Sequence, residues 1–290
     1  MNRRDVILGA LAMSACATTP AWPPAFQSDR FSVVVRGQGP DVLLIPGLSC
    51  PREVWAGLAA SLAGSHRLHL VQLTGFGEPT APPEGALFEP AAQELLRYIR
   101  EKGLNRPALI GHSMGGTLAL RIAAMAPEAI GRAMIVDSLP FFSVLINPTA
   151  TPETIAPQAE ALADQMRGMD DAAFLALQQR TMPTLVNGAE NQALAVAWSV
   201  ASHRPAVAQM MQDVMTTDLR PQLPAIAVPV TVLYAWDASM PYPAAGADFV
   251  YTLNYAGLQG VLLVRIDEAL HFIMLDQPAR FEAEVRAFLS

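Results

Sequence analysis

The buried run Pro107-Ala108-Leu109-Ile110 leads straight into Gly111-His112-Ser113-Met114-Gly115-Gly116, and few features constrain a fold as tightly. G-x-S-x-G between a strand and a helix is a sharp turn that closes only when its neighbours are small. Residues 114–125 then carry Leu118, Ile122 and Met125 at helical spacing. The turn lifts the Ser113 hydroxyl out of the sheet. The helix start aims free N–H groups and a positive dipole end at the same place. Ser113 is therefore the candidate nucleophile.

The rest of the chain extends this unit. Strands are expected over 31–36, 41–45, 69–73, 108–110, 133–136, 228–234 and 261–266, several of them continuous apolar runs as for strands buried on both faces. Helices are expected over 51–63, 90–102, 114–125, 244–258 and 278–289. Strands alternating with helices give an α/β fold with a mostly parallel, doubly wound sheet. Between about Pro140 and Pro224 the pattern changes to helical stretches split by prolines, over 155–166, 170–180, 189–202 and 206–215. This reads as a helical lid, residues 140–225, inserted into a core of residues 31–139 and 226–290. Six of the thirteen methionines lie there, either as an adaptable apolar binding surface or as filling for the segment's own core.

With 52% hydrophobic and only 16% charged residues, a sizeable core is easily built. The net charge of −7, with no basic patch, argues against nucleic acid. Residues 1–17 combine Arg3-Arg4, a short apolar stretch and the small-x-small run Ala15-Cys16-Ala17, the pattern of an export signal. Met13-Ser14-Ala15-Cys16 resembles a lipobox, so Cys16 is a candidate lipid-attachment site. Export to a bacterial periplasm or anchoring in the envelope is expected, a cytoplasmic location being the alternative. Residues 18–30 read as a tether. Cys50 then has no disulfide partner and is read as packing.

A serine hydroxyl needs a base. Of five histidines, His66 and His69 read as structural or exposed, His112 points away from its neighbour Ser113, and His203 sits in the lid region. His271 follows the last strand by a short loop, at the sheet edge where catalytic groups gather, and is the candidate base. The imidazole needs a carboxylate. Asp237, after the strand ending Leu233-Tyr234, is the expected acid, and Asp137, ending the strand at Val136, is the alternative. Oxyanion donors are expected from the backbone N–H groups of Met114 and Leu48. Neither a metal site nor an organic cofactor is expected.

The ordered motifs LIPGL (44–48), LTGFGEP (73–79), GHSMGG (111–116), LYAWD (233–237) and HFIMLDQP (271–278) resemble the α/β-hydrolase superfamily, in its lid-bearing esterase and lactonase branch. The resemblance covers roughly residues 31–290 and implies Ser113, Asp237 and His271 as the triad. The chain departs from the usual G-x-x-D acid motif, reading Ala235-Trp236-Asp237. The implied activity is hydrolysis of uncharged to moderately apolar esters or lactones through an acyl-enzyme. Amide or carbon–carbon bond hydrolysis, acyl transfer, and a non-catalytic binding protein of the same fold are alternatives. Dehalogenase and epoxide-hydrolase chemistry, which use an elbow aspartate, are disfavoured by Ser113.

Overall fold

The computed structural model describes residues 26–290; the expected signal, the Cys16 site and most of the tether lie outside the described residues. Seven strands, β1 (Phe31–Arg36), β2 (Asp41–Ile45), β3 (Arg67–Leu73), β4 (Ala108–His112), β5 (Arg132–Val136), β6 (Val230–Trp236) and β7 (Leu262–Asp267), form one sheet in the order β1-β3-β2-β4-β5-β6-β7. β1 pairs antiparallel with β3, and the other neighbours run parallel. The central strands are buried along nearly their whole length, as their apolar runs require.

Register decides what meets at the sheet's carboxyl edge. Ile45 pairs with Gly111, His112 with Val136, and Val136 with Leu233. The segments leaving β2, β4, β5 and β6 therefore emerge side by side.

Ten helices flank the sheet or follow its strands: α1 (Ala56–Leu62), α2 (Phe88–Glu101), α3 (Met114–Met125), α4 (Pro152–Gly168), α5 (Asp171–Thr181), α6 (Ala189–Ala201), α7 (Arg204–Thr216), α8 (Ala244–Asn254), α9 (Ile273–Asp276) and α10 (Pro278–Leu289). Leu95 of α2, Leu118 of α3 and Tyr255 just after α8 pack on one face. Leu58 and Leu62 of α1 and Phe281 and Val285 of α10 pack on the other. Most expected elements are present within a few residues. The stretch 51–63 begins instead as a 3-10 turn over Arg52–Trp55, and the helix expected over 244–258 ends at Asn254. The one-turn α9 was not expected.

The segment between β5 and β6 carries α4 to α7 and is fastened to the core at several points. Asp213 of α7 accepts hydrogen bonds from the N–H groups of Leu87 (2.6 Å) and Phe88 (3.0 Å), capping α2. The Gly77 N–H donates to Ser202 Oγ at 2.8 Å, and the His203 N–H to the Gly75 carbonyl at 2.8 Å. Met182, Met210 and Met215 are buried. Met182 and Met210 join the two main cores, and Met215 packs with Phe141 and Ile155. For these three methionines the packing reading holds, although two of them fill the protein's shared core and not a core of the segment alone.

The elbow tolerates no side chain at Gly111, where a Cβ would overlap the Gly115 carbonyl oxygen. Gly111→Ala is therefore expected to destabilise the protein by about 3 kcal/mol or more, an overpacking cost against rigid backbone, read as a lowered urea midpoint.

Candidate active site

Ser113 joins β4 to α3 with φ 53° and ψ −125°, a conformation that costs a non-glycine residue about 1–3 kcal/mol. It persists because the surroundings fix it. The Ser113 N–H donates to the Val136 carbonyl at 2.9 Å, and the Ser113 carbonyl accepts from the N–H groups of Gly116 (2.7 Å) and Thr117 (3.1 Å). A Cβ at Gly115 would overlap the Ile45 carbonyl oxygen, and one at Gly47 would lie 2.8 Å from His112 Nδ1 and 3.2 Å from Ser113 Cβ. The missing side chains let the β2 loop close over the elbow.

The two expected oxyanion donors lie on the two segments that meet in this closure. Met114 N–H opens α3, and Leu48 N–H lies in the loop beside Gly47. Among the described residues neither N–H is used in a hydrogen bond, and the Ser113 hydroxyl likewise has no hydrogen-bond partner. Cys50 belongs to the same loop. It is buried, which pushes its thiol up to about 12, so it packs and does not react.

His271 lies in the loop between β7 and α9, and its Nδ1 meets Asp137 Oδ2 at 2.7 Å. This corrects the expected pairing with Asp237. The Asp237 carboxylate instead accepts from the Ser239 N–H at 2.8 Å, and the Ser239 side chain, then this N–H, lower its pKa. Strand order allows either pairing, since Asp137 follows β5, beside the strand carrying Ser113, and Asp237 follows β6, beside the strand that precedes His271. The reason lies in local bonds: Asp237 is turned onto its own loop by Ser239, whereas Asp137 is held by the Ala235 N–H and the Tyr251 hydroxyl. Asp137 adopts φ 47°, and its N–H donates to the Leu233 carbonyl at 2.7 Å. Its Oδ1 accepts from the Ala235 N–H (2.9 Å) and the Tyr251 hydroxyl (3.0 Å).

Tyr251 and the groups that anchor the histidine loop were missed in the sequence. Tyr251 is buried and stacks on Tyr234, ring centroids 4.3 Å apart. Burial, then the Asp137 charge, hold its phenol well above the usual tyrosine range, so it stays a donor. Its signal was Tyr251 and Tyr255 one helical turn apart on the expected helix. Asp276 accepts from the Leu270 N–H (2.7 Å) and the Asn187 N–H (2.9 Å). The Phe272 N–H donates to the Leu185 carbonyl at 3.0 Å, so the inserted segment also grips this loop.

His112 lies against His271, ring centroids 4.6 Å apart, and it has a task of its own. Its Nε2 lies 3.0 Å from the His271 carbonyl, which can only accept, so Nε2 carries the proton. Its Nδ1 is buried without a partner. Burial, then the neighbouring His271, hold the imidazole well below its ordinary value of 6.5. His69 is also buried, between Tyr98 (2.7 Å) and Asp41 (2.8 Å). It is a structural residue, and there too burial lowers the pKa despite the carboxylate. His66 is half-buried on Ser65 (2.9 Å), and His203 precedes α7. Among the described residues no cluster of three or more histidine, cysteine or acidic side chains could hold a metal ion.

A strand–elbow–helix serine, an imidazole–carboxylate pair and two unused N–H groups at the carboxyl edge of a doubly wound sheet define a serine hydrolase of the α/β-hydrolase fold. The sequence matches the alpha/beta hydrolase family over residues 42–284, and the chain belongs to that family. It is 29% identical over 255 residues to the pimeloyl-(acyl-carrier protein) methyl ester esterase of Pectobacterium carotovorum, covering 86% of this chain and 93% of that protein. The corresponding esterase of Nitrosomonas europaea is 27% identical over 232 residues, 74% of this chain and 83% of that protein. The fold superposes on the enol-lactonase of Burkholderia xenovorans with a TM-score of 0.72 at 21% identity, covering 89% of this chain and 96% of that one. A thermophilic esterase of Thermogutta terrifontis superposes with a TM-score of 0.75 at 22% identity, covering 89% and 92%.

Two buried imidazoles with lowered pKa values make stability depend on pH. The unfolded chain takes up protons near 6.5 that the folded one refuses, so stability is full above that value and falls as pH drops through it. Urea midpoints at about pH 7.5 and about pH 5.5, either side of the ordinary imidazole value, should show the loss. His112→Gln, which keeps a donor but cannot ionise, should reduce it.

Proposed function

We propose that the protein is a carboxylic-ester hydrolase, acting on esters or lactones through an acyl-enzyme on Ser113. The observation that carries this reading is the 2.7 Å bond between His271 Nδ1 and Asp137, on the strand beside Ser113. It fixes the tautomer that leaves Nε2 unprotonated and able to take the serine proton. Ser113 Oγ attacks the ester carbonyl, and His271 receives its proton. The developing oxyanion is met by the N–H groups of Met114 and Leu48, donors already oriented and without other partners. Asp137 steadies the imidazolium. His271 then protonates the departing alcohol, and in the second half it activates the water that hydrolyses the acyl group. The esterase relatives support this chemistry.

The helices α4 to α7 serve as the lid over the site. Their bonds to the α2 start, to the Gly75–Gly77 loop and to the His271 loop support a fixed roof. We also propose export, with lipid attachment at Cys16 as one fate, supported by the basic, apolar and small-residue pattern of residues 1–17.

The test is turnover of p-nitrophenyl esters by wild type and variants, with phosphonate labelling of Ser113. Ser113→Ala should lose about 10³-fold or more, and Asp137→Asn about 10⁴-fold in kcat. Asp237→Asn should stay within a few-fold. A deeper loss in Asp237→Asn than in Asp137→Asn would sink the assignment of the acid. Tyr251→Phe removes one donor from the Asp137 carboxylate and should lower kcat by about ten- to a hundredfold, the worth of a hydrogen bond to a charged group, with little change in KM.

A further inference from the structure

A cavity of about 370 Å³ opens beside Asp137, on the side of α8 and away from the oxyanion loop. We infer that it is a subsite for one uncharged, apolar arm of the ester substrate, an inference that rests on the ester-hydrolase reading above. Its volume falls in the range of small-molecule sites, about 300–1,000 Å³. Leu145 forms one wall, Met240 and Tyr242 another, and Gly246 and Phe249 of α8 a third. Leu145, Tyr242 and Phe249 are 57%, 45% and 66% exposed, so the mouth presents apolar surface that an apolar chain would cover.

Charge narrows the occupant. No lysine, arginine or histidine lines the cavity, so nothing there would compensate a buried anion. Its one carboxylate, Asp137, is already engaged by the Ala235 N–H, the Tyr251 hydroxyl and His271, so a cation would have to compete with the catalytic pair. A neutral hydrocarbon chain meets neither obstacle.

Position ties the cavity to the reaction. The Ser113 N–H is bonded to the Val136 carbonyl at 2.9 Å, and the next residue, Asp137, forms the cavity wall. The cavity thus borders the carboxylate that holds His271, at the end of the strand next to that of Ser113. The Tyr242 wall is held by the Trp236 indole N–H, which donates to the Tyr242 carbonyl at 3.1 Å.

Gly246 offers a direct test. A Cβ there would make ordinary contacts, 3.5 Å from Tyr242 Cβ, so a larger side chain fits the backbone and occupies the space. Turnover is measured for p-nitrophenyl esters from acetate to octanoate, and for acetates from ethyl to octyl, with wild type, Gly246→Leu and Leu145→Ser. In wild type, kcat/KM should rise about fourfold per buried methylene along one series, and that series identifies the acyl or the alcohol arm. Gly246→Leu should cut the octyl-to-short ratio at least tenfold, and Leu145→Ser, on an exposed wall, should cut it by a smaller factor. Within the series that responds, a terminal carboxylate should cost at least tenfold: methyl octanoate over monomethyl suberate for an acyl arm, octyl acetate over 8-acetoxyoctanoate for an alcohol arm. An unchanged length ratio in both variants, or equal turnover within that pair, would overturn the subsite with hydrolysis intact. Wild type that neither turns over any ester nor labels with phosphonate would overturn the ester reading itself, and the subsite with it.

Discussion

Everything at the site hangs on how closely three pieces of backbone approach at Ser113. The end of β2, the turn after β4 and the start of α3 converge where Gly47, Gly111 and Gly115 have no Cβ. Side chains at 111 and 115 would overlap carbonyl oxygens, and one at 47 would press on His112 and Ser113. The resulting φ of 53° at Ser113 is paid for by the packed β-sheet edge and by the hydrogen bonds to Val136, Gly116 and Thr117. The strain and the function share one cause. The turn that forces the hydroxyl outward also leaves the Met114 N–H without an intrahelical partner.

The charge arrangement is built on the neighbouring strand. Asp137 sits at the end of β5 with three donors on its carboxylate, from Ala235, Tyr251 and His271. Tyr251 is held in turn by stacking on Tyr234, whose hydroxyl donates to Asp248. A buried network of this kind fixes orientation when each member is satisfied. His112 works differently. It is kept neutral by burial and donates a hydrogen bond to the His271 carbonyl, so it fixes the His271 backbone without adding charge beside that imidazole.

The inserted helices are bound into this arrangement. Leu185 and Asn187 hold the His271 loop through Phe272 and Asp276, and Asp213 caps α2. A segment joined to the core at both faces of the sheet behaves as part of the scaffold, and its buried methionines are packing of that scaffold.

Local pattern carried much of this. The elbow that carries Ser113, the parallel sheet and the helical stretches between β5 and β6 were legible because each depends on a short run of residues. A buried strand needs a continuous apolar stretch, and a turn of this kind needs glycines at fixed offsets. Cys50 as packing was legible for the same reason. The choice between Asp137 and Asp237 was not, because both follow an apolar strand and both precede His271. Only the folded loops decide it, turning Asp237 onto Ser239 and setting Asp137 between Ala235, Tyr251 and His271. Tyr251, Asp276 and the cavity beside Asp137 were hidden for a related reason, since each is defined by contacts between elements far apart in the chain. The sequence by itself determined which residues can be nucleophile and base, since that chemistry is local. The tertiary structure decided which carboxylate meets His271, since a hydrogen bond of 2.7 Å is a fact of three-dimensional distance that no spacing along the chain encodes.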